Sequence, residues 1–123
     1  MSFKRRRRPR QVLLESLEAR RVLAGTLLIS ELVAQNNSGL TDENGDFSDW
    51  IELYNPTAQS VDLAGWHLTD DAADLDKWTF PAVDLDSGAF MVVYASDKDR
   101  VDPLNPLHTN FKLAGGGEYL ALT

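Results

Sequence analysis

The sequence contains no cysteine, which excludes disulfide cross-links, thiolate metal sites and cysteine nucleophiles. Its only two histidines, His67 and His108, lie far apart in the chain, so a histidine-rich metal centre is not expected. No apolar run approaches the roughly 18 residues that a membrane-spanning helix requires. A Gly-x-Ser-x-Gly motif for a serine nucleophile is missing. The run Gly115-Gly116-Gly117 lacks the Lys-Ser/Thr and following helix of a phosphate loop; it reads instead as a hairpin turn. What remains is room, in 123 residues, for one domain with a modest core.

The net charge of −7 hides two unlike segments. From Met1 to Ala24, eight Lys or Arg face two Glu, a net of +6; from Gly25 onward, four basic residues face seventeen acidic ones, a net of −13. The sequence therefore divides into a basic leader, residues 1–25, and an acidic body, residues 26–123. The body would repel phosphates, so nucleic acid is not its expected partner. Cations or basic partners suit it better, and excess carboxylate also serves solubility.

In the leader, the basic cluster Lys4 to Arg10 precedes a short helical pattern over Gln11 to Leu23, with Leu13, Leu14, Leu17 and Val22 roughly on one side. Glu15, Glu18, Arg20 and Arg21 interrupt the apolar run that a standard secretory signal needs.

After Thr26 the pattern is one of strands and turns. Leu27 to Val33 reads as a strand buried on both faces. Trp50 to Tyr54 alternates and stops at Asn55-Pro56. Short strands follow at Val61-Leu63, Trp66-Thr69 and Lys77-Phe80, then a strong one from Ala89 to Ala95, and a last at Tyr119 to Leu122. About seven short strands with no helix in the body predict an all-β antiparallel sandwich. Trp50, Trp66, Trp78, Phe80, Phe90 and Tyr94 are the expected core aromatics.

Asp42, Asn44 and Asp46, with Asp49 beyond, form the clearest candidate site. Calcium takes six to eight oxygens, and acidic residues at alternate loop positions can turn several inward. Gly45 falls at the fourth place and Leu53 at the twelfth, so the loop is not an EF-hand. The competing reading is an Asx-rich turn in which Gly45 takes a positive φ. Calcium is the one cofactor the sequence leaves open. Asp49 and Glu52 suggest a carboxylate pair, but strand residues three apart face opposite sides. Asp70, Asp71 and Asp74 make a second acidic loop, read as solvated surface. His67 is expected on a strand and His108 in a loop, both in structural roles.

Several blocks then resemble one family. Ile29-Ser30-Glu31-Leu32, Asp46 to Asn55, Leu63 to Asp71, Lys77 to Pro81, Val92 to Ser96 and Gly116 to Leu122 follow, in order, the pattern of the bacterial lamin-tail domain. The resemblance implies an immunoglobulin-like β-sandwich without activity of its own. It also implies a companion role beside exported hydrolases, nucleases and CotH-type kinases. Compared with that pattern the sequence ends at Thr123 before the final strand or strands, which would leave an open sheet edge. Leu17, Glu18, Arg20, Arg21 and Leu23 resemble the LEPR-XLL export signature, with Ala19 where it has proline. The resemblances imply an extracellular or cell-surface module that binds a protein or surface component, or the targeting front of a larger exported enzyme. Nuclear or nucleic-acid association rests on the arginine run and the lamin name alone.

Overall fold

A computed structural model describes residues 26–114 and 119–123. The export-signature residues and the triple glycine lie outside this range. Nine strands occur among the described residues: β1 (Leu28–Val33), β2 (Asp49–Tyr54), β3 (Val61–Asp62), β4 (His67–Thr69), β5 (Trp78–Thr79), β6 (Asp84–Leu85), β7 (Phe90–Ala95), β8 (Leu107–His108) and β9 (Ala121–Leu122). They form a four-stranded sheet β1-β2-β7-β8, a three-stranded sheet β5-β4-β9 and the pair β3-β6. All pairings are antiparallel except β7 with β8, where Val93 lies opposite Leu107 and Tyr94 opposite His108 in parallel register. No helix occurs among the described residues, and the architecture is an all-β, immunoglobulin-like sandwich.

The core lies between the sheets. Ile51, Leu53 and Val93 come from the four-stranded sheet, and Leu68, Trp78, Leu120 and Leu122 from around the three-stranded one. Leu63 and Leu85 close the end beside β3 and β6. At roughly 1.5–3 kcal/mol for each fully buried large apolar side chain, this cluster is the principal driving force for folding.

Period-two alternation assigns the faces, and it corrects several expectations. In β7, Met91, Val93 and Ala95 point inward while Phe90, Val92 and Tyr94 point outward. Phe90 is consequently 58 % exposed. Trp50 and Tyr94 are half-buried on the same outer face, so only Trp66, Trp78 and Phe80 of the six expected aromatics enter the core. Strand β1 is an edge strand with one buried face, because Ser30 and Glu31 interrupt its apolar letters at a bulge. Strands β6 and β8 went unforeseen because each is two residues set among turn formers, Pro81 and Asp86-Ser87-Gly88 around one and Pro103 and Pro106 before the other, and β8 moves His108 from its expected loop onto a strand.

Asn55 ties the end of β2 to its neighbours. Fully buried, its Nδ2 donates to the carbonyls of Gln59 and Leu85, both at 2.8 Å. Its Oδ1 accepts from the amide and hydroxyl of Thr57. Gly88 N–H donates to its carbonyl, and its own N–H to Ala89 O. Pro56 then stops the strand, since it has no N–H to continue a ladder. Asn55→Asp keeps the shape but sets a carboxylate oxygen against two carbonyls. A loss of about 2–3 kcal/mol is expected, read as a lowered urea midpoint with unchanged slope.

Candidate functional site

Two loops meet beside the β7–β8 end of the four-stranded sheet. The first, between β1 and β2, is shaped by its own side chains. Asn36 Nδ2 donates to the carbonyls of Leu40 and Ser48, closing the loop base. Asp42 Oδ1 accepts the amides of Asn44 (2.9 Å) and Asp46 (3.1 Å), and its Oδ2 accepts the Ser48 hydroxyl at 2.7 Å. This is the Asx-turn chemistry that short polar side chains supply. Gly45 completes it at φ 80°, a conformation that costs glycine little.

The second loop follows β7. Asp97 and Asp99 adopt positive φ, 65° and 53°, an arrangement tolerated by aspartate better than by most residues. Between and around them, Ser96, Lys98 and Arg100 all direct their side chains to the first loop or to His108. Lys98 Nζ donates to Asp42 Oδ2 (2.7 Å), Asp46 Oδ2 (2.8 Å) and Asn44 Oδ1 (3.1 Å). Arg100 Nη1 donates to Glu43 Oε2 at 2.6 Å and to Asn44 Oδ1 at 2.8 Å.

Three of the proposed calcium ligands therefore converge as their spacing suggested, but on the ammonium of Lys98. Asp49 does not join them. Its two oxygens accept the amides of Asn36 and Leu113, each at 3.2 Å, because β2 has already begun there and aims the side chain at neighbouring chain segments. Glu52 faces the other way and accepts the Ser30 hydroxyl at 2.8 Å, so it forms no pair with Asp49. Asp70 holds Lys77 at 2.8 Å, and Asp71 caps the amide of Ala73. His67 bonds Thr79 Oγ1 through Nδ1.

Sequence reasoning missed Glu43, Ser96, Lys98 and Arg100, and gave His108 no partner. His108 is fully buried, with Tyr94 stacked on it at 5.2 Å. Its Nε2 lies 2.8 Å from Glu43 Oε1 and its Nδ1 2.7 Å from Ser96 Oγ. A carboxylate can only accept, so Nε2 carries a proton toward Glu43, and Nδ1 shares the second hydrogen bond with the Ser96 hydroxyl. Ligand atoms of Asp42, Glu43 and His108 lie within 4.8 Å of one another, a set that Lys98, Arg100 and Ser96 already engage. The one legible signal was opposite charge at matching density: acids at 42–46 and bases at alternate positions 98 and 100.

Ser96, His108 and Glu43 follow the order of nucleophile, base and orienting carboxylate. Catalysis would also need donors for a developing oxyanion. The four amides after Ser96 are all committed: Asp97 to Phe111 O, Lys98 to Ser96 Oγ, Asp99 to Thr109 O and Arg100 to His108 O. Ser96 borders a groove of about 260 Å³ whose rim includes Phe47, Asp49 and Lys112. The arrangement locks two loops together and shapes that groove.

The electrostatics follow from the contacts. Burial opposes the charge on Asp42, yet the bonds from Lys98, Ser48 and the amides of Asp46 and Asn44 outweigh it and hold the carboxyl well below the usual range. Burial likewise opposes the charge on Glu43, but His108, its own amide and Arg100 lower it overall. Lys98 is raised overall, because Asp42 and Asp46 outweigh the cost of its burial.

Depressed folded-state carboxyls add stability above their unfolded values, about 3.9 for Asp and 4.3 for Glu, and that stability is lost as pH falls below them. Lys98→Met should cost about 3 kcal/mol at neutral pH by stranding the buried Asp42 charge. It should also flatten the decline of stability between neutral and acidic pH, measured by urea midpoints. In wild type, melting in excess calcium and in EDTA should coincide, since Lys98 fills the oxygen set. Lys98→Met frees the set, and its melting temperature should rise with calcium.

Among comparisons with known proteins, residues 23–123 match the family model of the Lamin Tail Domain. No curated protein and no solved structure matches the chain. The family match spans all of the sandwich just described, and the chain belongs to the lamin tail domain family.

Proposed function

We propose that this chain is a non-catalytic binding or adhesion module of an exported or cell-surface bacterial protein, and that it takes a protein or surface component as its partner. The observation that carries the reading is the closed state of the polar cluster. Ser96, His108, Glu43, Asp42, Lys98 and Arg100 are bonded to one another across two loops. Groups committed in this way hold a surface in a fixed shape, and a pre-shaped surface binds with less ordering cost. The adjoining groove and Phe47, 48 % exposed at its rim, give that surface a contact point. The acidic body, at −13 from Gly25 onward, speaks against nucleic acid.

The LEPR-XLL-like residues from Leu17 to Leu23 support export. They support equally the variant in which the domain is the targeting front of a larger exported enzyme. Protease treatment of intact bacteria expressing the tagged chain should degrade it while a cytoplasmic marker survives; protection of both would refute export. The same protein should resist an alkyl fluorophosphonate, and mass-spectrometric labelling at Ser96 would overturn the non-catalytic reading.

A further inference from the structure

The outer face of the four-stranded sheet is apolar for a surface. Cross-strand pairing sets Leu28 beside Tyr54 and Tyr54 beside Phe90 in one row, and Val33 beside Trp50 in another. Directly opposed residues share a face, so these side chains, with Val92, point the same way. Tyr54 and Phe90 stack at 4.5 Å. Leu28, Val33, Trp50, Tyr54 and Val92 are half-buried, and Phe90 is mostly exposed.

Two carboxylates sit in the middle of this face. Glu31 pairs directly with Glu52 across the strands. Like charges so placed repel, and among the described residues no Lys or Arg forms an ion pair with either. An apolar platform with two adjacent carboxylates calls for an occupant that combines leucine-like side chains with arginine or lysine.

We infer that the occupant is the chain's own basic leader, residues 4–23. Two observations select it. The leader carries +6 against the body's −13, so attraction is built in, whereas a second copy of the acidic body would be repelled. The leader also joins the body at Thr26, two residues before Leu28, which is itself part of the face. The covalent link keeps it at high effective concentration there. Leu13, Leu14, Leu17 and Val22 supply the apolar contacts, and Arg20 and Arg21 supply charge for Glu31 and Glu52. The contact would cover the aromatic face of the module whenever the leader is attached.

The absence of cysteine makes the test direct. A nitroxide on Ser16→Cys of the full chain should broaden the amide signals of Leu28, Trp50, Tyr54, Phe90 and Val92, independently of protein concentration. Glu31→Lys with Glu52→Lys should remove more than half of that broadening. Leu14→Ser with Leu17→Ser should do the same while leaving the core signals of Ile51, Leu53 and Val93 in place. Absence of broadening on this face would overturn the inference. So would broadening that fades on dilution, which would identify a second copy as the occupant. Neither result bears on export or on Ser96 reactivity.

Discussion

A buried carboxylate must be matched where it is buried, and Asp42 sets that requirement for one end of this sandwich. Its side chain has no solvent exposure, so its charge is sustained by Lys98, Ser48 and two loop amides. Lys98 comes from the connection after β7, more than fifty residues along the chain. Satisfying Asp42 therefore fixes the β1–β2 loop against the β7–β8 connection. The parallel β7–β8 pairing, the burial of His108 and the positive φ of Asp97 and Asp99 accompany that contact. An uncompensated charge there would cost several kcal/mol, comparable with a large share of a small domain's stability.

The same requirement accounts for the Ser–His–Glu sequence of bonds. His108 must bond both ring nitrogens because it is fully buried. Glu43 and Ser96 satisfy them, and the backbone after Ser96 spends its amides in loop contacts. Satisfaction of buried polar groups and catalytic preorganisation use similar side chains. What separates them is whether donors remain for a reacting oxygen.

Much of the fold was legible in the sequence because period two and turn residues are local signals. The alternation in Trp50 to Tyr54, the stop at Asn55-Pro56 and the strong Ala89 to Ala95 run are written in adjacent letters. The same alternation should have moved Phe90 and Tyr94 out of the core, and the size of the aromatic side chains misled instead. For the site, the convergence of Asp42, Asn44 and Asp46 was legible from spacing and Gly45. The place of Lys98 among them was not, because it comes from the connection after β7, far along the chain.

By itself the sequence determined the strand-forming segments, the all-β class, the opposite charges of leader and body, and the family. Each of these depends on residues near one another in the chain or on simple composition. Only the tertiary structure decided that Lys98 fills the acidic loop, that Asp49 stands apart from it, and that His108 lies buried between Ser96 and Glu43. Those outcomes depend on which distant segments the packed sheets bring within hydrogen-bonding distance. A charge removed from water takes whatever partner the fold delivers.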